Sequence, residues 1–186
     1  MNMSESLSKE YMLRAIELAK KGEGRTNPNP LVGAVIVKNE KIIGQGWHHA
    51  YGDLHAEREA LKDCYQKGEN PEGATIYVTL EPCCHFGKQP PCTQAILESK
   101  IAHVVVGSRD PNPLVHGKGN AFLREHGILV DEDFLRSKKI EDLKMFSASA
   151  LTKLCEKKEF SYCNRVLKKV LKKEADKEAA EVDGPF

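Results

Sequence analysis

The stretch Thr79-Leu80-Glu81-Pro82-Cys83-Cys84-His85-Phe86-Gly87-Lys88-Gln89-Pro90-Pro91-Cys92, read together with His55-Ala56-Glu57, decides how this chain folds. Pro82 lies 25 residues after Glu57, and eight residues separate Cys83 from Cys92. One histidine, two cysteines and a carboxylate that need not bind metal make a metal site with work to do. Three protein ligands leave the fourth tetrahedral position open to water, which separates a catalytic zinc from a closed structural one. His55, Cys83 and Cys92 are therefore the expected ligands and Glu57 the expected proton carrier. Ligand softness favours Zn2+, one per chain, although the same donors also accept iron or cobalt.

That reading constrains the local structure. Residues two apart on a regular helix are rotated by about 200°, so His55 and Glu57 would point apart if both lay mid-helix. They can serve one site only if the motif straddles a helix start. Pro91-Cys92 reads the same way, since proline is tolerated in the first helical turn. Two helix N-termini would then face the metal and help keep both thiols ionised.

Working outward, Ser8 is positioned to cap a helix whose apolar residues Met12, Ala15, Ile16 and Ala19 recur at helical spacing, and Gly22 and Gly24 end it. Thr26-Asn27-Pro28-Asn29-Pro30 must be a loop. Leu31–Val37 reads as a buried strand, with Asn39-Glu40 turning to a partner at Lys41–Gly46. A helix carrying Ala56, Ala60, Leu61 and Cys64 follows. Beyond it come a strand at Ala74–Thr79, a helix at Cys92–Ser99, a strand at Ala102–Gly107, a helix at Gly119–His126 and a strand at Gly127–Val130. Alternating helices and strands argue for an α/β fold with a sheet covered on both faces, mixed because of the early hairpin. Residues 1–150 are expected to form one zinc-dependent domain. Residues 151–186 are expected to form a charged, partly helical tail in which Cys163, Val166, Leu167, Val170 and Leu171 keep helical spacing.

A net charge of +1 gives no general reason to expect nucleic acid or membrane as a partner. No apolar run approaches the roughly 20 residues of a membrane span, and the N-terminus lacks the pattern of a secretion signal. The expected location is the cytoplasm, where thiols stay reduced. Disulfides are thus a weak reading of the six cysteines. Cys83, Cys84 and Cys92 cluster among Pro, Gly and His, which favours metal, whereas Cys64 sits at an apolar helical position and reads as core.

H-x-E followed by P-C-x-x-C is the layout of zinc deaminases. Here the long gap departs from it, and the run from Thr79 to Cys92 closely resembles the deaminase of riboflavin biosynthesis, whose pattern is T-L-E-P-C-S-H-x-G-x-x-P-P-C. Asn29–Val35, His48 to Glu57, and Arg109-Asp110-Pro111-Asn112-Pro113-Leu114-Val115 match that family in the same order. The resemblance spans about residues 8 to 130. It implies a cytidine-deaminase-like three-layer α/β/α sandwich with a mixed central sheet. The implied reaction is hydrolytic deamination of 2,5-diamino-6-(5-phosphoribosylamino)pyrimidin-4-one to the 5-aminouracil derivative, with release of ammonia. The resemblance also places Asn29, His48, His85 and Lys88 at substrate-contacting positions, and it implies a homo-oligomer. A lysine and a histidine in the inter-cysteine loop suit a phosphorylated substrate. Cys84 stands where the family has serine. Bacterial members continue into a nicotinamide-dependent reductase; the 56 residues after Val130 are too few for one, so reduction is expected from a separate protein.

Four other readings are weighed against this one. A structural zinc could use His55 with Cys83, Cys84 and Cys92, but it would leave Glu57 idle. The scaffold could act on another nucleobase, nucleoside or nucleotide. A nucleic-acid editor would want a basic, aromatic-bearing surface, which one Trp and near-neutral charge do not supply. A non-catalytic metal-binding subunit would not need the complete set of reactive residues.

Overall fold

The structure, a computed structural model, describes residues 3–110 and 115–137. Helix α1 (Met3–Lys20) leads into the hairpin β1 (Gly33–Lys38) and β2 (Lys41–Trp47). Then come α2 (Ala56–Gln66), β3 (Thr75–Leu80), α3 (Cys92–Glu98), β4 (His103–Ser108), α4 (Lys118–Glu125), β5 (Leu129–Asp131) and a short α5 (Phe134–Ser137). The expected elements occur with ends shifted by at most two residues, except the start of α1, which lies further upstream, and α5 is additional. The tail from residue 151, with Cys155 and Cys163, lies outside the described residues, as does the expected boundary at residue 150.

One five-stranded sheet runs in the order β2-β1-β3-β4-β5. β1 pairs antiparallel with both β2 and β3, whereas β3, β4 and β5 run parallel. The hairpin turns at Asn39 and Glu40, both at positive φ (50° and 61°), as a tight two-residue connection requires. Successive strand residues point to opposite faces, and here both faces are apolar. Ala34, Ile36, Ile76, Val78, Val104 and Val106 pack beneath α2, α3 and α4. Val35, Val37, Tyr77 and Val105 pack against Met12, Ala15, Ile16 and Leu18 of α1, with Phe134 and Leu135 of α5 alongside. The result is the expected three-layer α/β/α sandwich. Among the described residues no helix is long and apolar enough to cross a membrane.

One sequence expectation fails at the start of the chain. Ser8 does not cap α1, which begins five residues earlier. Its hydroxyl lies instead 3.1 Å from the Tyr77 hydroxyl, so an inward-facing partner on the sheet satisfies a serine inside the helix. Cys64 is fully buried under the sheet, as its helical position indicated.

Gly33 shows how closely α1 lies on β1. A Cβ at this position would come within 1.9 Å of the Ala15 carbonyl oxygen and 2.7 Å of the Ala19 nitrogen. Both are helix backbone and cannot rotate away. Gly33→Ala is expected to destabilise the fold by about 1–3 kcal/mol, the usual cost of overpacking, read as a lower denaturation midpoint in urea with unchanged slope.

Candidate active site

The site forms where the C-terminal end of β3 meets the N-termini of α2 and α3. His55 is the residue before α2, with extended backbone (φ −71°, ψ 161°), and Glu57 is the second residue of the helix. The break from extended to helical conformation lets both face one point. Cys92 opens α3 after Pro91, whose backbone (φ −54°, ψ 140°) is likewise non-helical. Cys83 sits in the loop leaving β3, and its carbonyl accepts the Thr93 N–H at 3.1 Å, tying that loop to the start of α3.

His55 Nδ1 lies 3.5 Å from Cys83 Sγ and 3.3 Å from Cys92 Sγ. The three donor atoms all fall within 4.8 Å of one another. A tetrahedral zinc with bonds of about 2.3 Å to sulfur and 2.0–2.1 Å to nitrogen sets neighbouring S and N ligands about 3.6 Å apart, so the residues fit that ion. Among the described residues this is the one such cluster, and Cys84 is not in it.

The electrostatics concentrate anionic character on Cys83. The Cys92 thiol bonds to it, and His55 and the Cys92 N–H, at 3.3 Å from its sulfur, add to the effect. Together they pull Cys83 down to about 4 against the opposing effect of burial. Cys92, holding the shared proton, is pushed well up, and His55 is raised by its own hydrogen bond to Cys83. A soft divalent cation would compete with those protons for the same donors. Glu57 is only 3% exposed, and burial pushes its carboxyl upward, with the Cys83 thiolate adding to the shift.

Two adjoining cavities, of about 170 and 210 Å3, share Asn29, His55, Cys83 and His85 as walls. The first also holds Glu57, His48, Glu81 and Asp110. The second is bounded by Tyr51, Gly52, Asp53 and the inter-cysteine residues Gly87, Lys88 and Gln89. Thus every candidate named from the sequence lines one or both cavities except Cys92, which lies buried behind them.

Their individual settings differ. His48 is 3% exposed, and both ring nitrogens are engaged: Nδ1 meets the Leu54 carbonyl at 3.0 Å, and Nε2 meets Asn29 Nδ2 at 3.2 Å. A carbonyl can only accept, so Nδ1 carries the proton and Nε2 accepts from Asn29. His48 thereby orients the Asn29 amide, and burial lowers its pKa, which keeps the ring neutral for that task. The Lys88 ammonium rests 4.0 Å from the centre of the Tyr51 ring, a cation–π contact that holds an exposed lysine toward the second cavity. Glu59 turns away from the site and pairs with Lys62 at 3.6 Å.

Three contributors went unread in the sequence. Arg58 donates to the Pro90 and Pro91 carbonyls at 3.3 and 3.0 Å, pinning the inter-cysteine loop to α2. Tyr51 holds Lys88. Glu81 binds four backbone amides from a distant segment. Position in the pattern signalled only Glu81, through its place in Thr79-Leu80-Glu81.

Comparison with known proteins agrees with this geometry. Residues 5–108 match the family model for the cytidine and deoxycytidylate deaminase zinc-binding region. The diaminohydroxyphosphoribosylamino-pyrimidine deaminase of Buchnera aphidicola (subsp. Schizaphis graminum) is 57% identical over 120 residues, covering 64% of this chain and 80% of that one. Riboflavin biosynthesis protein RibD of Aquifex aeolicus is 56% identical over 129 residues, 69% of this chain and 35% of its own length. The crystal structure of the Thermotoga maritima diaminohydroxyphosphoribosylaminopyrimidine deaminase/5-amino-6-(5-phosphoribosylamino)uracil reductase superposes with a TM-score of 0.68 at 53% identity, over 76% of this chain and 40% of that one. The chain thus spans most of the Buchnera protein and just over a third of the longer relatives. It belongs to the cytidine and deoxycytidylate deaminase family of hydrolases, among its diaminohydroxyphosphoribosylaminopyrimidine deaminases.

Proposed function

We propose that the chain deaminates 2,5-diamino-6-(5-phosphoribosylamino)pyrimidin-4-one, releasing ammonia and the 5-aminouracil derivative. The observation that carries this reading is the single loop from Cys83 to Cys92, which supplies two metal-type donors and also walls the second cavity with Lys88. His55, Cys83 and Cys92 would hold Zn2+, which when bound lowers the pKa of a coordinated water toward neutrality.

The chain's own residues divide the remaining tasks. Glu57, in the cavity wall beside the donor triad, takes one proton from the attacking water and delivers it to the ring nitrogen, then carries the second, from the hydroxyl added to the ring carbon, to the amine that departs as ammonia. Asn29, its Nδ2 committed to His48, presents its carbonyl oxygen to ring or ribose donors. Lys88 and His85 bind the phosphate from the second cavity.

Ammonia release measured with this phosphate, beside cytidine, deoxycytidylate and guanine, tests the substrate. Turnover confined to the other three would overturn the reading. Lys88→Ala is expected to raise KM about tenfold with little change in kcat or zinc content, the pattern of a contact made equally in ground and transition states. Steady-state kinetics with metal analysis checks this.

A further inference from the structure

Glu81 lines the same cavity as Glu57, is 4% exposed, and is not among the donors of the metal-type cluster. Its Oε2 accepts the Asp110 and Gly117 N–H groups at 3.0 Å each. Its Oε1 accepts those of Gly119 and Asn120 at 3.0 and 3.3 Å. Gly117, Gly119 and Asn120 form the N-terminus of α4, where the backbone donors have no intrahelical acceptor and Gly117 offers no side chain to cap them. A carboxylate from the end of β3 does so instead. The approach is close: a Cβ on Gly119 would meet the Pro82 carbonyl oxygen at 2.0 Å. Asp110, bound by the same carboxylate, lines the cavity that holds Glu57. The Asp110 carbonyl in turn lies 2.8 Å from His116 Nδ1.

We propose that Glu81 is a positioning residue that clamps Asp110 and the start of α4 to the metal-ligand loop and so sets substrate affinity, with no part in proton transfer or metal binding. The affinity claim rests on the pyrimidine-deaminase reading above; the clamp itself does not. Glu81→Gln keeps the shape but turns an NH2 group toward two of the four N–H donors, leaving them without an acceptor.

In the zinc-loaded protein, Glu81→Gln is expected to lower hydrogen-exchange protection about tenfold or more at Asp110, Gly117, Gly119 and Asn120, with β1, β3 and β4 unchanged. Zinc content should stay at one per chain, and KM for the diaminopyrimidine phosphate should rise about tenfold while kcat changes by less than about threefold. Unchanged protection, lost zinc, or a fall in kcat at constant KM would each overturn the proposal. If Glu81→Gln does not fold, Gly117→Ala loosens the same segment from its far end. Gly117 has φ +77° and no atom within 4 Å of a Cβ, so the substitution strains the backbone alone. It should raise KM in the same way, and an unchanged KM overturns the proposal. Should the wild type fail to deaminate that substrate, the functional reading falls, while the exchange measurement still decides the clamp.

Discussion

Glu57→Gln is expected to keep one zinc per chain and the wild-type fold while losing turnover by about 10³-fold or more, within the range that positioned acid–base groups supply. The substitution changes one oxygen to nitrogen at a residue 3% exposed, so packing is preserved. Gln also removes a buried acid, whose ionised form is opposed by its surroundings, and should not lower stability. What it cannot do is accept a proton from water and return it. Since the loss concerns transition-state chemistry, kcat should fall with KM nearly constant. Metal analysis, thermal unfolding and steady-state kinetics on the same preparation check the three parts separately. Wild-type kcat in this variant would show that the carboxylate carries no proton. A simultaneous loss of zinc would instead make Glu57 a support for the metal donors, consistent with its hydrogen bond to Cys92.

How the sequence discloses such a site depends on the range of the interactions. Val35, Tyr77 and Val105 alternate with Ile36, Ile76, Val78, Val104 and Val106 inside short apolar runs, and strand existence follows from that local pattern. The break between His55 and Glu57 was legible because helical rotation forbids any other way of aiming both at one point. Strand order was not, because β1 reaches β3 across α2 through a pairing that no local pattern encodes. Ser8 was misread for the same reason: its partner, Tyr77, lies 69 residues away. Glu81 escaped notice because its four partners lie 29 to 39 residues downstream. The cation–π contact of Lys88 with Tyr51, and the use of His48 to orient Asn29, likewise need tertiary structure to be seen. Chemistry that depends on spacing along the chain was therefore visible, and the supports that hold it were not.

Cys83→Ala is expected to lose both metal and turnover, and its pairing with Cys84→Ala decides whether the metal site is open or closed. Cys83 Sγ is the point on which the donors converge, with His55 Nδ1 at 3.5 Å and the Cys92 N–H donor at 3.3 Å. Alanine leaves the Cys83 carbonyl able to accept from Thr93, so α3 keeps its tie to the loop. It does leave only an imidazole and one thiol near the metal position. Structural zinc sites with a full ligand set bind with roughly 10–16 kcal/mol. Removing one of three protein ligands should weaken binding by at least about 10³-fold, and dialysed protein should retain under about a tenth of its zinc. Among the described residues Cys84 belongs to no cluster of three donors, and burial raises its thiol pKa, the reverse of what a ligand thiolate needs. Cys84→Ala should accordingly retain one zinc and near-normal kcat. If Cys84→Ala lost the metal as Cys83→Ala does, four protein ligands would close the tetrahedron. Water could not then reach the ion, and Glu57 would have no proton to carry.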